Sequence, residues 1–213
     1  MIVDTSPSLR LVGEEDSSKR RQILDGAHRV FMELGFDGAS MGEIARAAGV
    51  SKGTLYVYFA DKYRLFEAIV EAECLEHGQV TFDFDFDRDA ATTLEEFGKA
   101  FILMLCRPGG GSATRTVMAI AERMPDVGRR FYENVIAYSI ERLGSYLEVR
   151  TRAGELAIDN FPLAATQFME LCKASLFLPF IFQAAPAPSS ERIAEVIASA
   201  TRMFLAAYGV KKD

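Results

Sequence analysis

Tryptophan is absent from the 213 residues, histidine occurs twice and cysteine three times. Cys74, Cys106 and Cys172 are odd in number and far apart, so neither a disulfide framework nor a CxxC metal site fits, and they read as buried small hydrophobes. His28 and His77 lack the HExxH or HxxxH spacing that would set two ligands on one helix face. No metal and no cofactor are expected. Long apolar runs are missing too: the longest uncharged stretch, residues 174–190, contains Pro179, Pro186 and Pro188 and falls short of the roughly 20 apolar residues that a bilayer requires. No membrane partner follows. The start of the chain, MIVDTSPSLRLVGEEDSS, has no basic segment followed by an apolar block, which argues against a secretory signal. It reads as a disordered tail over 1–16 in a cytoplasmic protein. Paired carboxylates, a nucleophile beside a base, and a GK[ST] ending to the GGGS run at 109–112 are all lacking, so no enzyme is expected.

What remains is an ordinary globular composition, 49% hydrophobic and 25% charged, which excludes wholesale disorder and a collagen-like chain. The length suits one full domain, or a small domain plus a larger one. The net charge of −6 opposes attraction of the whole chain to nucleic acid. The sign changes along the chain, however. Residues 17–64 carry +3, whereas 1–16 carry −3 and 65–213 carry −6. This asymmetry suggests a small module facing an anion, residues 17–64, joined to a larger acidic domain, residues 65–213.

The periodicity is helical almost throughout, and the expected fold is all-α. Ser17 and Ser18 can cap a helix whose apolar residues Ile23, Ala27, Val30, Phe31 and Leu34 share one face, with Gly35 ending it. Ser40 and Glu43 form a capping box before a short helix at 41–47, and another short helix follows Ser51. A longer helix starts at Asp61. Thr93 and Glu96 form a second capping box, and amphipathic runs cover about 113–124, 127–150, 161–182 and 190–208, with Pro179 expected to kink the third run or end it early. Loops fall at 107–112 and 184–190. The FDFDFDRD segment at 82–89 alternates like a strand but has no partner strand, so it reads as an extended loop whose phenylalanines tuck onto helices.

The residues that carry function lie between 40 and 62. Two short helices crossing at a small residue, Ala45, with Gly49 in the turn and Ile44, Ala48, Val50 and Leu55 packing between them, describe a helix-turn-helix. On a wheel of about 100° per residue, Leu55 and Phe59 of the second helix point inward. Gly53, Thr54 and Val57 then face outward between Tyr56 and Tyr58. Small central residues let a helix approach base edges, Thr54 and Val57 can touch thymine methyls, and the flanking hydroxyls can reach phosphates. Lys52 and Lys62 supply charge at the two ends, and Ser40 and Ser51 leave helix N-termini open to phosphate oxygens. The partner implied is double-stranded DNA.

Residues 20–68, with ASMGEIARAAGVSKGTLYVYF at 39–59 followed by Asp61, Lys62, Leu65, Phe66 and Ala68, closely resemble the tetracycline-repressor (TetR) family. The resemblance implies three short DNA-binding helices followed by a larger helical domain, and it puts Ser40, Ser51, Lys52, Gly53, Thr54, Tyr56, Tyr58 and Lys62 at DNA-contacting positions. Val57 departs from the second polar aromatic residue that many members carry there. RAGELAID at 152–159, with Ala164, Ala165 and Phe168, looks like the C-terminal domain of a subgroup that often controls efflux or stress genes. Such domains usually enclose a small-molecule inducer and form homodimers through their last two helices, here about 161–182 and 190–208. Bulky or soft residues of the central helices are the expected pocket lining: Phe101, Met104, Leu105, Met118, Phe131, Tyr132, Tyr138, Phe168 and Phe177. The expected function is a repressor that binds a palindromic operator as a dimer and is released by a small molecule. The alternative is a ligand-independent DNA-binding protein of the same fold.

Overall fold

Caps and glycines set the first elements. The computed structural model describes residues 8–78, 84, 86–107 and 110–210, beginning with α1 (Ser8–Gly38). Ser17 and Ser18 therefore lie inside α1 rather than at its cap, because no proline interrupts residues 8–34. Residues 1–7 of the expected tail lie outside the described residues. Gly35, at φ 69 and ψ 173, breaks the helix as expected, a backbone state open to glycine and costly for residues with a Cβ. The break turns Phe36 back onto Phe31 at 5.6 Å and onto Phe66 at 5.5 Å. After it come α2 (Met41–Ala47), α3 (Lys52–Tyr58) and α4 (Lys62–Gly78).

The second half comprises α5 (Ala90–Leu105), α6 (Gly110–Ile120), α7 (Pro125–Phe131), a π-helical turn (Tyr132–Ala137), α8 (Tyr138–Arg152), α9 (Phe161–Lys173), α10 (Phe177–Ile181) and α11 (Ser190–Tyr208). Among the described residues there is no strand, only one antiparallel bridge between Leu156 and Gly209. The cap of α5 is Asp89, whose carboxylate accepts from the Thr92 amide at 3.0 Å, and not the expected Thr93. Thr93 is instead buried one turn inside, its hydroxyl donating to the Asp89 carbonyl. The loop expected at 107–112 is shorter, since α6 already begins at Gly110. The run expected at 161–182 ends early, α9 stopping at Lys173 and the chain turning at Ser175, φ 57, ahead of Pro179. A proline ring collides with the carbonyl four residues before it, and that carbonyl belongs to Ser175.

Two apolar cores result. One gathers Ile23, Ala27 and Phe31 of α1, Ile44 of α2, Leu55 of α3 and Leu65 and Phe66 of α4, and continues across residue 64 to Val117, Ile120, Val127 and Phe131. The other is built on α5, α8, α9 and α11 around Phe97, Leu143, Tyr146, Phe168, Cys172 and Phe204. Phe84 stacks on Phe97 and Tyr146, as expected of a loop whose phenylalanines tuck onto helices, whereas Phe86 touches Tyr146 but stays exposed. Phe82 lies outside the described residues. Arg150 secures that loop from beneath, bonding the Tyr146 hydroxyl, the Glu155 carboxylate and the carbonyls of Phe86 and Arg88. Burial pushes the Cys106 thiol up to about 11 and that of Cys172 to about 12, so neither is a nucleophile near neutral pH. The side chain of Cys74 lies outside the described residues. Among the described residues no helix is long and apolar enough to cross a membrane, and no cluster of His, Cys, Asp and Glu could hold a metal ion.

Candidate nucleic-acid interface and ligand cavity

The serine and glutamate that open α2 do so reciprocally. The Ser40 hydroxyl accepts from the Glu43 amide at 3.3 Å, while the Glu43 carboxylate accepts from the Ser40 amide at 3.0 Å. The far end of α2 is bound to α1: Arg29 donates to the Ala47 carbonyl at 2.7 Å and Gln22 to that of Ala48 at 2.6 Å. At this contact Gly26 faces Ala48 so closely that a Cβ on residue 26 would stand 2.6 Å from the Ala48 Cα. Gly49 then turns the chain at φ 65, and Ser51 caps α3 by accepting from the Thr54 amide at 3.0 Å.

On α3, Leu55 and Phe59 are buried, and the Arg20 guanidinium lies 5.4 Å over the Phe59 ring. The opposite side presents Lys52, Gly53, Tyr56 and Val57 to solvent, with Val57 83% exposed and Tyr56 52%. The Lys52 stem crosses over Gly42, where a Cβ would meet its Cε at 3.0 Å. Thr54 is half-buried with its hydroxyl 2.8 Å from that of Ser51, and Tyr58 is half-buried against the core. Ser40 and Ser51 are exposed. Lys62 stands apart from this face: its ammonium donates to the carbonyls of Phe36, Asp37 and Ala39 and sits 4.7 Å over the Phe36 ring.

A cavity of about 310 Å³ opens among α5, α6, the π-helical turn, α8, α9 and α10. Phe101, Met104, Leu105, Met118, Phe131, Tyr132 and Phe177 line it, as expected. Phe168 and Tyr138 do not. Phe168 is fully buried between Phe97 and Phe204, and Tyr138 points to the outside of its helix, where it is exposed. The wall also holds Val135, Ile136, Ser139, Ile140, Thr166, Met169, Glu170 and Lys173, which a reading for bulky side chains passed over. Their signal was spacing: each follows Tyr132 or precedes Phe177 by steps of three or four, so helical position and not size announces them. Glu170 and Lys173 pair at 2.5 Å.

A sequence model described as AefR-like transcriptional repressor, C-terminal domain, matches residues 92–210, and one described as bacterial regulatory proteins, tetR family, matches residues 23–69. The chain belongs to the TetR family of transcriptional regulators. These are regulators and not enzymes. The HTH-type transcriptional regulator AcrR of Shigella flexneri is 26% identical over 172 residues, 80% of this chain and 71% of that protein. A solved TetR-family transcriptional regulator from Mesorhizobium loti superposes with a TM-score of 0.81 at 26% identity, over 91% of this chain and 98% of the other. The solved Flavonoid-responsive Regulator FrrA superposes with a TM-score of 0.75 at 30% identity, over 92% of this chain and 100% of the other.

In this TetR-family regulator, side chains bridge the cavity walls to the helices that carry α3. Arg130, on α7 beside Phe131, reaches Glu71 at 3.0 Å and Glu67 at 3.3 Å on α4. Arg123, in the turn after α6, pairs with Asp37 beside the Gly35 break. The π-helical turn separates Arg130 from α8, with the Tyr138 amide reaching back five residues to the Glu133 carbonyl.

Proposed function

We propose that this regulator is a homodimeric repressor whose residues 17–64 read a palindromic operator and whose residues 65–213 bind a small-molecule inducer and form the dimer. The observation that carries the reading is α3, an exposed, small-centred face with Val57 at its tip, set by close backbone contact between α1 and α2. Gly53, Thr54 and Val57 approach base edges, Lys52, Tyr56 and Tyr58 meet phosphates on either side, and the N-termini capped by Ser40 and Ser51 offer amides to phosphate oxygens. Lys62, tied to three carbonyls, adds a fixed positive charge at the start of α4. The repressor AcnR of Corynebacterium glutamicum, 34% identical over 68 residues, supports repression, and the likeness to the Flavonoid-responsive Regulator FrrA supports response to a small molecule.

The dimer forms through α9 and α11. Leu163, Met203 and Val210 are exposed apolar residues of this region, and a wide surface groove of about 610 Å³ runs between the two helices past Leu171 and Ala207. Two such helix pairs close as a four-helix bundle under two-fold symmetry. Selection from a random duplex library tests the reading: the expected product is an inverted repeat with half-sites about one helical turn, or a multiple of it, apart. Lys52→Ala should weaken cognate and random duplexes alike and lower the salt slope by about one. Thr54→Ala should alter sequence preference. A monomer bound to an asymmetric site would sink the proposal. For induction, ligand and operator must weaken each other by the same factor, and calorimetry that finds no such coupling leaves the ligand-independent reading.

A further inference from the structure

We infer that the cavity selects an apolar molecule that donates hydrogen bonds, of the phenol type, over one of the same shape that only accepts them. The inference rests on the reading of the cavity as the inducer site and goes on to the ligand's chemistry. Most of the wall is aromatic, thioether or aliphatic, which sets the ligand's body as apolar. Its selectivity then lies with the few polar groups, and their hydrogen-bonding sense is fixed by what they already hold.

Ser139 lines the cavity with its hydroxyl bonded to the Val135 carbonyl at 2.8 Å, and Thr166 with its hydroxyl bonded to the Pro162 carbonyl at 2.8 Å. A carbonyl can only accept, so in both bonds the hydroxyl is the donor. A hydroxyl has one proton. Each side chain therefore has only lone pairs left to offer. Glu170, the third, is a carboxylate and only accepts; one of its oxygens already serves the Lys173 ammonium. Lys173 is the one cationic donor on the wall; one of its three N–H bonds serves Glu170 at 2.5 Å, and the ammonium lies 5.7 Å over the Phe177 ring. The hydroxyls of Tyr132 and of Thr114, which also lines the cavity, can turn either way and favour neither kind of ligand. Three side chains that only accept face one ammonium drawn towards Glu170, which makes an acceptor-rich wall. A ligand hydroxyl or N–H completes it, whereas an ether or carbonyl oxygen placed there faces lone pairs and loses its water without replacement.

The test uses the full chain and three probes of one skeleton: 4,4′-dihydroxybiphenyl, which donates; 4,4′-difluorobiphenyl, which is similar in size but has no donor; and 4,4′-dimethoxybiphenyl, which only accepts. Calorimetry without DNA should show the dihydroxy probe binding at least about tenfold more tightly than either of the others, the loss expected for an unmatched polar contact. In Thr166→Val, and in Thr166→Val combined with Ser139→Ala, that preference should shrink while the difluoro probe keeps its affinity. The single variant serves if the double one does not fold. Equal affinities in the unaltered protein, preference for the dimethoxy probe, or no binding of the dihydroxy probe at its solubility limit would each overturn the inference. Operator binding measured in parallel separates it from the reading beneath it. A dihydroxy probe that binds selectively yet leaves operator affinity unchanged upholds the ligand class and refutes induction through this cavity. Release of operator by all three probes alike upholds induction and refutes the class.

Discussion

The turn between α2 and α3 and the turn between α9 and α10 each pass through a residue with positive φ, and they do so with different chemistry. Between α2 and α3 that residue is Gly49, φ 65; between α9 and α10 it is Ser175, φ 57. Glycine enters this region without penalty, whereas a residue with a Cβ gives up roughly 1–2 kcal/mol. The first turn is therefore at rest, and it joins two helices that must hold a fixed angle to be read against DNA. The second is strained and is held by its surroundings: Arg192 donates to the Ser175 hydroxyl at 3.0 Å, and the Leu176 amide reaches the Lys173 carbonyl. Cavity residues Lys173 and Phe177 flank it on either side. The turn beside the cavity carries this strain, and the turn between α2 and α3 does not.

Substitutions can break or sharpen this contrast. The largest effect is expected at Gly26, beside the resting turn, where a methyl group would stand 2.6 Å from the Ala48 backbone and force α1 from α2. Gly26→Ala should cost about 2 kcal/mol or more in thermal unfolding and abolish operator binding. Survival of both would mean that the α1–α2 contact is looser than drawn. Next is Gly49→Ala. The nearest atom to the added Cβ is Gln22 Nε2 at 3.5 Å, which is ordinary contact, so the cost is backbone strain alone, about 1–2 kcal/mol by denaturant unfolding. The smallest effect carries the opposite sign. Ser175→Gly relieves strain but gives up the Arg192 bond and stiffness in the unfolded chain, and should raise stability by about 0.5 kcal/mol. A drop in melting temperature for this variant would show that the break is held by the serine hydroxyl and not merely tolerated.

How well the chain could be read differs between the two regions for a physical reason. In the α2–α3 unit the decisive interactions span three or four residues, so Ser40 with Glu43, Ser51 with Thr54, and Gly49 are all visible in the sequence. At the start of α5 two such local patterns compete, Asp89 with Thr92 and Thr93 with Glu96, and the choice falls to Asp89 because Thr93 is needed inside the fold. The early end of α9 was legible from Pro179, because the clash acts on the carbonyl one turn before the proline. The cavity was half legible. Large soft residues on central helices serve equally as wall or core, and only the packing that puts Phe168 between Phe97 and Phe204 assigns it to the core. Glu170 and Lys173 escaped because each is neutralised by the other, and a search for an isolated charge finds neither.

The π-helical turn at Tyr132–Ala137 makes chain length itself a structural quantity in this part of the protein. A π turn holds one residue more than the α-helix around it, so deleting any one residue there would leave an unbroken α-helix from α7 into α8, with every backbone bond regained. Such a chain would still fold. The wider turn already absorbs the extra residue, so α7 would keep nearly the same rotation against α8, with Arg130 still beside Glu67 and Glu71 and Ser139 and Ile140 still at the cavity. Relatives that differ by one residue between positions 131 and 138 would therefore align without a gap in any loop and would keep the ionic link from cavity to α4.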